Sequence, residues 1–164
     1  MHVHEGTSWA WGAGNRDAAT QHFGALKEAN PTLWNGPVFL CSDIRVEEQV
    51  LKGNVLRTDY AAYLYHRALD WPDTSLKLLF GSAFIQAANG ALLFGRMSQQ
   101  TTSPGVVVAP SGGLGADDVQ NNRIDPIATA FRECEEEFGI SLSQTEHPTY
   151  FAAIGRSLCV YVHA

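Results

Sequence analysis

Three glutamates and one arginine fall close together in the C-terminal part of the chain: Arg132, Glu133, Glu136 and Glu137. At about 100° per residue, a helix places Glu133 one turn from both Glu136 and Glu137, so that the three carboxylates share one face. Carboxylates at this spacing repel each other unless water, Arg132 or a metal cation lies between them. Hard oxygen ligands of this kind suit Mg²⁺, which keeps several waters and binds substrate phosphates. The cluster therefore predicts a metal site, although such a charge run is also typical of a solvated helix face.

The helix that would carry these residues has clear start and stop signals. Asp125 fits the N-cap and Pro126 the first helical position, and Gly139 suits the residue that ends the helix. Apolar side chains recur at helical spacing and predict one buried stripe: Ile127, Phe131, Cys134 and Phe138. A glycine-rich loop, Pro110–Gly115, precedes the helix, and its glycines would let the backbone approach a ligand closely.

The segment Arg132–Ile140, with the sequence RECEEEFGI, resembles the C-terminal half of the Nudix box, R-E-U-x-E-E-x-G-U, where U is a bulky apolar residue. Pro110–Gly113 is similar to the Pro-Gly-Gly loop of that family. The N-terminal half of the box differs, because the family's glutamate eight residues before the arginine is Ile124 here, and its glycine six residues earlier is Asp118. Asp117–Arg123 is therefore interpreted as an insertion that lengthens the loop, a change with a small energetic cost.

A second resemblance lies upstream of the box. Asn30–Gly36, followed by strands and by Thr58–Tyr60 at the start of a helix, is similar to the N-terminal extension of a Nudix branch that includes UDP-sugar diphosphatases. That branch also has a box with a lengthened loop. The resemblance implies an α/β fold, in which residues 76–164 form a Nudix-type α/β/α sandwich with a mixed sheet. Residues 1–75 would form an N-terminal extension of a helix, strands and a second helix.

The resemblance to the Nudix family implies a hydrolase that cleaves the diphosphate of a nucleoside diphosphate derivative, such as a nucleotide sugar, with Mg²⁺ or Mn²⁺ as cofactor. It implies that Glu136 and Glu137 are metal ligands, and that Glu133 is a ligand or the base that receives a proton from the attacking water. Arg132 would orient Glu133 through a charge-assisted hydrogen bond. Three further residues near the loop are expected to bind substrate: Arg96, Gly112 and Gly113.

Two departures from the family pattern keep a second interpretation open. Ile124 removes one carboxylate from the box, and the chain ends at Ala164, before the further strands and closing helix of the family. The alternative is a Nudix-like module that binds a nucleotide or a protein partner without turnover, or an incomplete and inactive chain. An unfinished sheet would expose a strand edge, which favours a homodimer.

Composition limits the remaining function classes. The chain has 164 residues, a net charge of -6 and 45% hydrophobic residues, which is typical of a folded domain. Its Lys and Arg residues form no basic stripe, which argues against binding of bulk nucleic acid. No apolar run approaches the roughly 18 residues that span a membrane, and neither a P-loop nor the G-x-G-x-x-G spacing occurs. Three cysteines without a CxxC pair indicate reduced thiols and a cytoplasmic protein.

Periodicity and turn signals predict the remaining elements. We expect helices over Asp17–Asn30 and Asp59–Leu69. The expected strands are Val38–Ser42, Ile44–Leu56 with a turn at Lys52–Asn54, a hairpin of Leu76–Gln86 and Ala91–Met97, a buried Val106–Ala109, Tyr150–Ile154 and Leu158–Val162. His66 is interpreted as a packing or surface residue. The tryptophans are expected in the core or in a lid, where one could stack on a nucleobase: Trp9, Trp11, Trp34 and Trp71.

Overall fold

The computed structural model describes residues 2–3, 9–48, 50–101, 103–142, 149–154 and 157–163, which form an α/β chain. Its helices are α1 (Ala10–Gly14), α2 (Arg16–Ala29), α3 (Tyr60–Ala68) and α4 (Pro126–Phe138), with a short 3₁₀ helix at Ala116–Asp118. Its strands are β1 (His2–Val3), β2 (Pro37–Glu47), β3 (Val50–Asp59), β4 (Lys77–Phe84), β5 (Gly95–Arg96), β6 (Val107–Val108), β7 (Ser111–Gly113), β8 (Val119–Gln120), β9 (Arg123–Ile124), β10 (Thr149–Ile154) and β11 (Ser157–His163).

The chain divides into two compact units. The first comprises Met1–Leu78 and Gly115–Ile124, and the second comprises Leu79–Leu114 and Asp125–Ala164. The segment that resembled a loop insertion ahead of α4 therefore groups with the N-terminal part of the chain. In the part of the chain that the structure describes, no helix combines the length and the apolar character that crossing a membrane requires.

The sheet of the first unit is built around the antiparallel pair β2 and β3. Leu40 pairs with Leu56, and Cys41 pairs with Val55. β2 also pairs with the first residues of β4, β1 runs parallel to β3, and β9 pairs antiparallel with β1 and with β8. The predicted helices α2 and α3 are confirmed, and they contribute to a core with these strands. The buried members of this core are Trp9, Phe23, Val38, Leu40, Leu56, Ala61, Ala62, Tyr63, Leu64 and Leu76.

The turn between β2 and β3 differs from its predicted place. The sequence favours Lys52–Asn54, but these residues lie within β3, and the turn includes Glu48, whose φ is 49°. Long-range pairing overrides the local turn signal, because this register buries both Cys41 and Val55 against the core. A bulge near Asp43, which has a φ of 50°, shifts the register partway along the pair.

The segment before α4 forms its own hairpin. After the 3₁₀ helix, β8 and β9 are joined by Asn121 and Asn122, with φ values of 50° and 55°. Positive φ at both residues is the signature of a type I′ turn, for which asparagine is favoured. Ile124 is buried in β9, so the position where the Nudix box would carry a glutamate is a core position in this chain.

The second unit contains the two glycine-bearing strands that support α4. β7 pairs antiparallel with β4, β10 with β11, and β11 lies next to β4 in the sheet. The predicted hairpin is confirmed near its turn by a bridge between Gln86 and Leu92, but Arg96 pairs with Val107 in a separate two-stranded sheet. Val107 is 56% exposed, so the prediction of a buried strand is wrong there. The strands predicted near the C-terminus are confirmed as β10 and β11.

Candidate functional site

Helix α4 begins and ends where the sequence predicts. The Asp125 carboxylate accepts a hydrogen bond of 3.0 Å from the backbone N–H of Ile127, and Pro126 occupies the first turn. Gly139 adopts a left-handed conformation with φ of 67°, and its N–H donates to the Glu135 carbonyl oxygen. These caps are local interactions, which explains why the sequence alone determines the bounds.

A pair of glycines forms the surface on which α4 lies. Gly81 on β4 and Gly112 on β7 are direct cross-strand partners. A methyl group at Gly81 would lie 2.8 Å from the backbone nitrogen of Ala130 and would collide with the carbonyl oxygen of Pro126. A methyl group at Gly112 would overlap the carboxylate of Glu133. We call Gly81 and Gly112 the glycine pair, and its lack of side chains lets α4 approach the strand backbones directly.

This close approach also changes which residues of α4 face the core. The buried residues are mostly small: Pro126, Thr129, Ala130 and Cys134. Of the predicted apolar stripe, only Cys134 is fully buried, whereas Ile127, Phe131 and Phe138 are half-buried. The prediction that α4 buries one face is therefore confirmed, but the buried face is rotated from the predicted one. Large side chains do not fit between α4 and the glycine pair, so small residues face it.

Glu133 is the most enclosed of the predicted site residues with an acidic side chain. Its side chain is 14% exposed, and its carboxylate lies against Gly112. Burial raises the pKa of Glu133 above its usual range, and the nearby charges of Glu137 and Glu136 raise it further, while Arg132 acts in the opposite direction. The carboxylate therefore holds a proton more readily than an exposed glutamate does.

Arg132 joins two of the predicted acidic residues. Its Nη1 atom lies 2.8 Å from Oε1 of Glu133 and 3.0 Å from Oε2 of Glu136. We call this arrangement the Arg132 bridge. Glu136 is 59% exposed, and Glu137 is also exposed but close enough to raise the pKa values of both Glu133 and Cys134. The structure thus brings together Arg132, Glu133, Glu136 and Glu137, as the sequence predicts.

The predicted substrate-binding residues lie on strands of two different sheets, Arg96 on β5 and the two glycines on β7. Gly112 contacts Glu133, and its neighbour Gly113 has open space where a side chain would project. Arg96 lies exposed on β5, and among the described residues it makes no hydrogen bond or ion pair with the carboxylates of α4. Its assignment to substrate binding stays a prediction.

The carboxylates of α4 have the right chemistry for Mg²⁺, but in this structure they do not point toward one common metal position. Within the described residues, no three His, Cys, Asp or Glu side chains are grouped in a way that would hold a metal ion. Glu136 points toward Arg132, so it would have to leave the Arg132 bridge to join Glu133 and Glu137 around one cation. Burial is the main cause of the raised pKa of Glu133, and the charges of Glu137 and Glu136 add to it; a cation would relieve this added repulsion.

Gly81 is a site residue that reasoning from the sequence missed. The signal was present, because a glycine inside the apolar strand sequence KLLFGSAF often marks a close backbone approach. The pairing of Gly81 with Gly112 depends on the register of two distant strands, and no local pattern specifies it.

Neither a scan against models of known protein families nor a search of curated proteins found a match for this chain. The functional assignment therefore depends on the residues of α4 and on their surroundings.

Proposed function

We propose that the protein is a Mg²⁺-dependent hydrolase of the Nudix type, which acts in the cytoplasm on the diphosphate of a nucleoside diphosphate derivative such as a nucleotide sugar. The environment of Glu133 is the observation that carries this proposal. Its carboxylate is enclosed, lies beside two further carboxylates and rests against the backbone of Gly112. An acidic side chain that is largely withdrawn from water and crowded by like charges destabilises a fold, and such groups are common at functional sites.

In the proposed reaction, Glu133 receives the proton of the attacking water. Its raised pKa makes it a stronger base than an exposed carboxylate. Arg132 holds the Glu133 carboxylate in position through their 2.8 Å contact. Glu136 and Glu137 would hold Mg²⁺, or Mn²⁺ in its place. When bound, the metal supplies positive charge to the diphosphate oxygens and lowers the pKa of the attacking water.

The backbone at Gly113 offers a place for a phosphate group to approach. Nothing occupies the space where a side chain at this residue would project, and the residue is exposed on β7 next to the glycine pair. A bound diphosphate could therefore approach the strand without steric conflict. Gly112 has a different role, because the carboxylate of Glu133 already occupies the corresponding space at that residue.

Turnover assays with matched variants test the proposal. The purified protein would be incubated with Mg²⁺ and UDP-glucose, ADP-ribose, a dinucleoside polyphosphate, coenzyme A or a nucleoside triphosphate, and the products would be separated by chromatography. We expect Glu133→Gln to lower kcat by about 100-fold or more on the preferred substrate, the usual loss for a general base. Glu136→Gln should raise the Mg²⁺ concentration that half-maximal turnover requires.

Glu135→Gln is the matched control for these variants. Glu135 is exposed on the same helix, but it lies at the variable position of the box and outside the Arg132 bridge. We expect its turnover to stay within about twofold of the unmodified protein, since isolated surface changes have small effects. The proposal fails if Glu136→Gln behaves like Glu135→Gln, or if the folded protein hydrolyses none of the substrates.

The Arg132 bridge and the burial of Ile124 favour one second candidate, a Nudix-like module that binds nucleotides without turnover. In that case the bridge would be a permanent ion pair, and the lost box glutamate would not be needed. Thermal unfolding with increasing Mg²⁺ separates the two candidates. A hydrolase should show a rise in Tm with Mg²⁺ that disappears in a Glu136→Gln and Glu137→Gln double variant, whereas a metal-free module should show none.

A further inference from the structure

A cavity of about 700 Å³ lies within the first unit and is lined by residues of that unit. Its walls come from α1, the start of α2, the loop before β2, the end of β3 and the first turn of α3. The volume falls within the range of small-molecule sites.

Two arginines line this cavity without serving an evident structural purpose. Arg16 and Arg57 are both exposed, and neither forms an ion pair or a side-chain hydrogen bond in the described part of the chain. By contrast, Arg45 and Arg132 contact carboxylates at 2.7 Å and 2.8 Å. Arg16 is also the first residue of α2, where the helix dipole disfavours a positive charge. In a chain with a net charge of -6, these two side chains give the cavity wall two positive charges.

Trp34 adds a flat aromatic surface to the same cavity. Trp34 is 74% exposed, the highest value among the large hydrophobic residues described. The indole ring lies directly on Gly36, where a methyl group would come within 2.6 Å of the ring carbon Cε3. Any side chain at residue 36 would push the ring away, so the glycine allows Trp34 to lie flat while its outer face stays accessible to a planar ligand.

The loop that carries Trp34 is tied to the first turn of α3. The Asn35 side-chain oxygen accepts a hydrogen bond of 2.7 Å from the Ala61 N–H, and the Gly36 carbonyl accepts one of 2.9 Å from the Tyr60 N–H. The acidic residue on the cavity wall, Asp59, already accepts a bond from the Ala62 N–H as the N-cap of α3. These bonds set the position of the loop before any ligand arrives, and one of them occupies Oδ1 of Asp59.

We propose that this cavity binds a small organic anion with a planar ring, the chemistry of a nucleoside phosphate. The ring would stack on Trp34, and the phosphate would bind Arg16 and Arg57. A guanidinium is well suited to this role, because its planar donors match phosphate oxygens. The site needs no metal ion, and its residues are separate from those of the proposed hydrolase function, which involves α4.

Equilibrium titration with UMP and AMP in the presence of EDTA tests this proposal. Binding would be followed by tryptophan fluorescence and by calorimetry on the whole protein. We expect Arg16→Gln and Arg57→Gln each to raise Kd about fivefold to tenfold, as loss of a charge-assisted hydrogen bond would. Trp34→Leu, which keeps an apolar side chain but removes the flat ring, should raise Kd by a similar factor. Lys27→Gln removes the same charge from the other end of α2 and should change Kd by less than about twofold.

Two further ligands and one background variant make the result decisive. Inorganic phosphate that binds as tightly as UMP would overturn the role of the ring, and uridine that binds as tightly would overturn the role of the arginines. A complete lack of nucleotide binding in folded protein would overturn the site. Binding should persist in a Glu136→Gln and Glu137→Gln double variant. Loss of turnover with retained UMP binding in this variant would support both proposals and show that the two sites are separate. Retained UMP binding in an unmodified protein that hydrolyses no substrate would contradict only the hydrolase proposal and would leave the cavity site standing.

Discussion

Helices α3 and α4 both have an aspartate as N-cap, yet a titratable side chain on each, His66 on α3 and Glu133 on α4, has opposite surroundings. Asp59 caps α3 by accepting from the Ala62 N–H at 2.9 Å, and Asp125 caps α4 by accepting from the Ile127 N–H at 3.0 Å. Beyond these similar starts, α3 buries an aromatic and aliphatic face, whereas α4 buries small residues against the glycine pair.

On α3, the most deeply buried titratable side chain is that of His66, and its neighbours satisfy it. Its ring lies about 5 Å from those of Trp9 and Trp11 and packs edge-on against Trp71. Its Nε2 atom accepts a hydrogen bond of 3.1 Å from the Asp73 N–H. Burial lowers the pKa of His66, although Asp73 acts in the opposite direction. These contacts favour the neutral ring, so His66 is a structural residue.

On α4, the corresponding residue is Glu133, and most of its neighbours act against its charge. Burial and the charges of Glu136 and Glu137 raise its pKa, and only Arg132 counteracts them. A titratable side chain withdrawn from water can therefore have either of two roles. His66 has a packing role, and Glu133 has a candidate chemical role. The sign of the charges beside each side chain distinguishes the two roles, whereas burial alone does not.

The largest effect is expected when the glycine pair is disrupted. Gly81→Ala places a methyl group against backbone atoms of α4, and a rigid contact of this kind should lower the free energy of unfolding by about 3 kcal/mol. Gly24→Ala on α2 is the control, because open space surrounds that position, and it should stabilise the protein by about 0.5–1 kcal/mol. Urea unfolding of both variants measures the difference. Equal effects at the two glycines would show that α4 does not depend on the close approach.

A smaller effect is expected from His66 when the pH falls. Because its pKa is lower in the folded protein than in the unfolded chain, the unfolded chain takes up the proton first, and stability falls as the pH drops below about 6.5. His66→Gln keeps an acceptor for the Asp73 N–H but does not titrate, so its Tm should fall less between pH 7.5 and pH 5. Melting curves at several pH values test this. Parallel curves for both proteins would rule out His66 as the source of the acid sensitivity.

The smallest effect is expected at Glu133. Its pKa is higher in the folded protein than in the unfolded chain, so protonation favours folding and stability falls as the pH rises from about 4.5 through the folded value. Without Mg²⁺, Glu133→Gln should therefore raise Tm slightly at pH 7.5, and the gain should shrink at acidic pH. Scanning calorimetry in EDTA measures this difference. A lower Tm at pH 7.5 would mean that the ion pair with Arg132 outweighs the cost of burying the charge.

Local signals explain which parts of the fold were predictable from the sequence. The bounds of α4 follow from Asp125, Pro126 and Gly139, which act within one turn of the residues they cap. The turn at Asn121 and Asn122 could also have been predicted from its paired asparagines. The turn at Glu48 could not, because it competes with a stronger local signal at Lys52–Asn54 and is decided by strand register.

Some features of the candidate site could likewise be predicted from local spacing, and others depend on contacts between distant segments. Helical spacing predicts that Arg132, Glu133 and Glu136 meet on one face, and the Arg132 bridge confirms that they do. The enclosure of Glu133 depends on β7, a strand brought to α4 by pairing with β4. The cavity beside Trp34 joins segments that are distant in the sequence, and no spacing rule could have placed Arg16 next to the same opening as Arg57.

The Arg132 bridge also has a consequence for which ions the carboxylates can select. Arg132 is a counter-ion that the chain itself provides, so a cation from solution must exchange with the guanidinium at Glu136. A monovalent ion brings no more charge than the guanidinium it replaces and donates no hydrogen bond, so the exchange offers it no advantage. A divalent ion brings twice the charge. If this face of α4 binds a cation as proposed, the Arg132 bridge would therefore favour a divalent ion over a monovalent one.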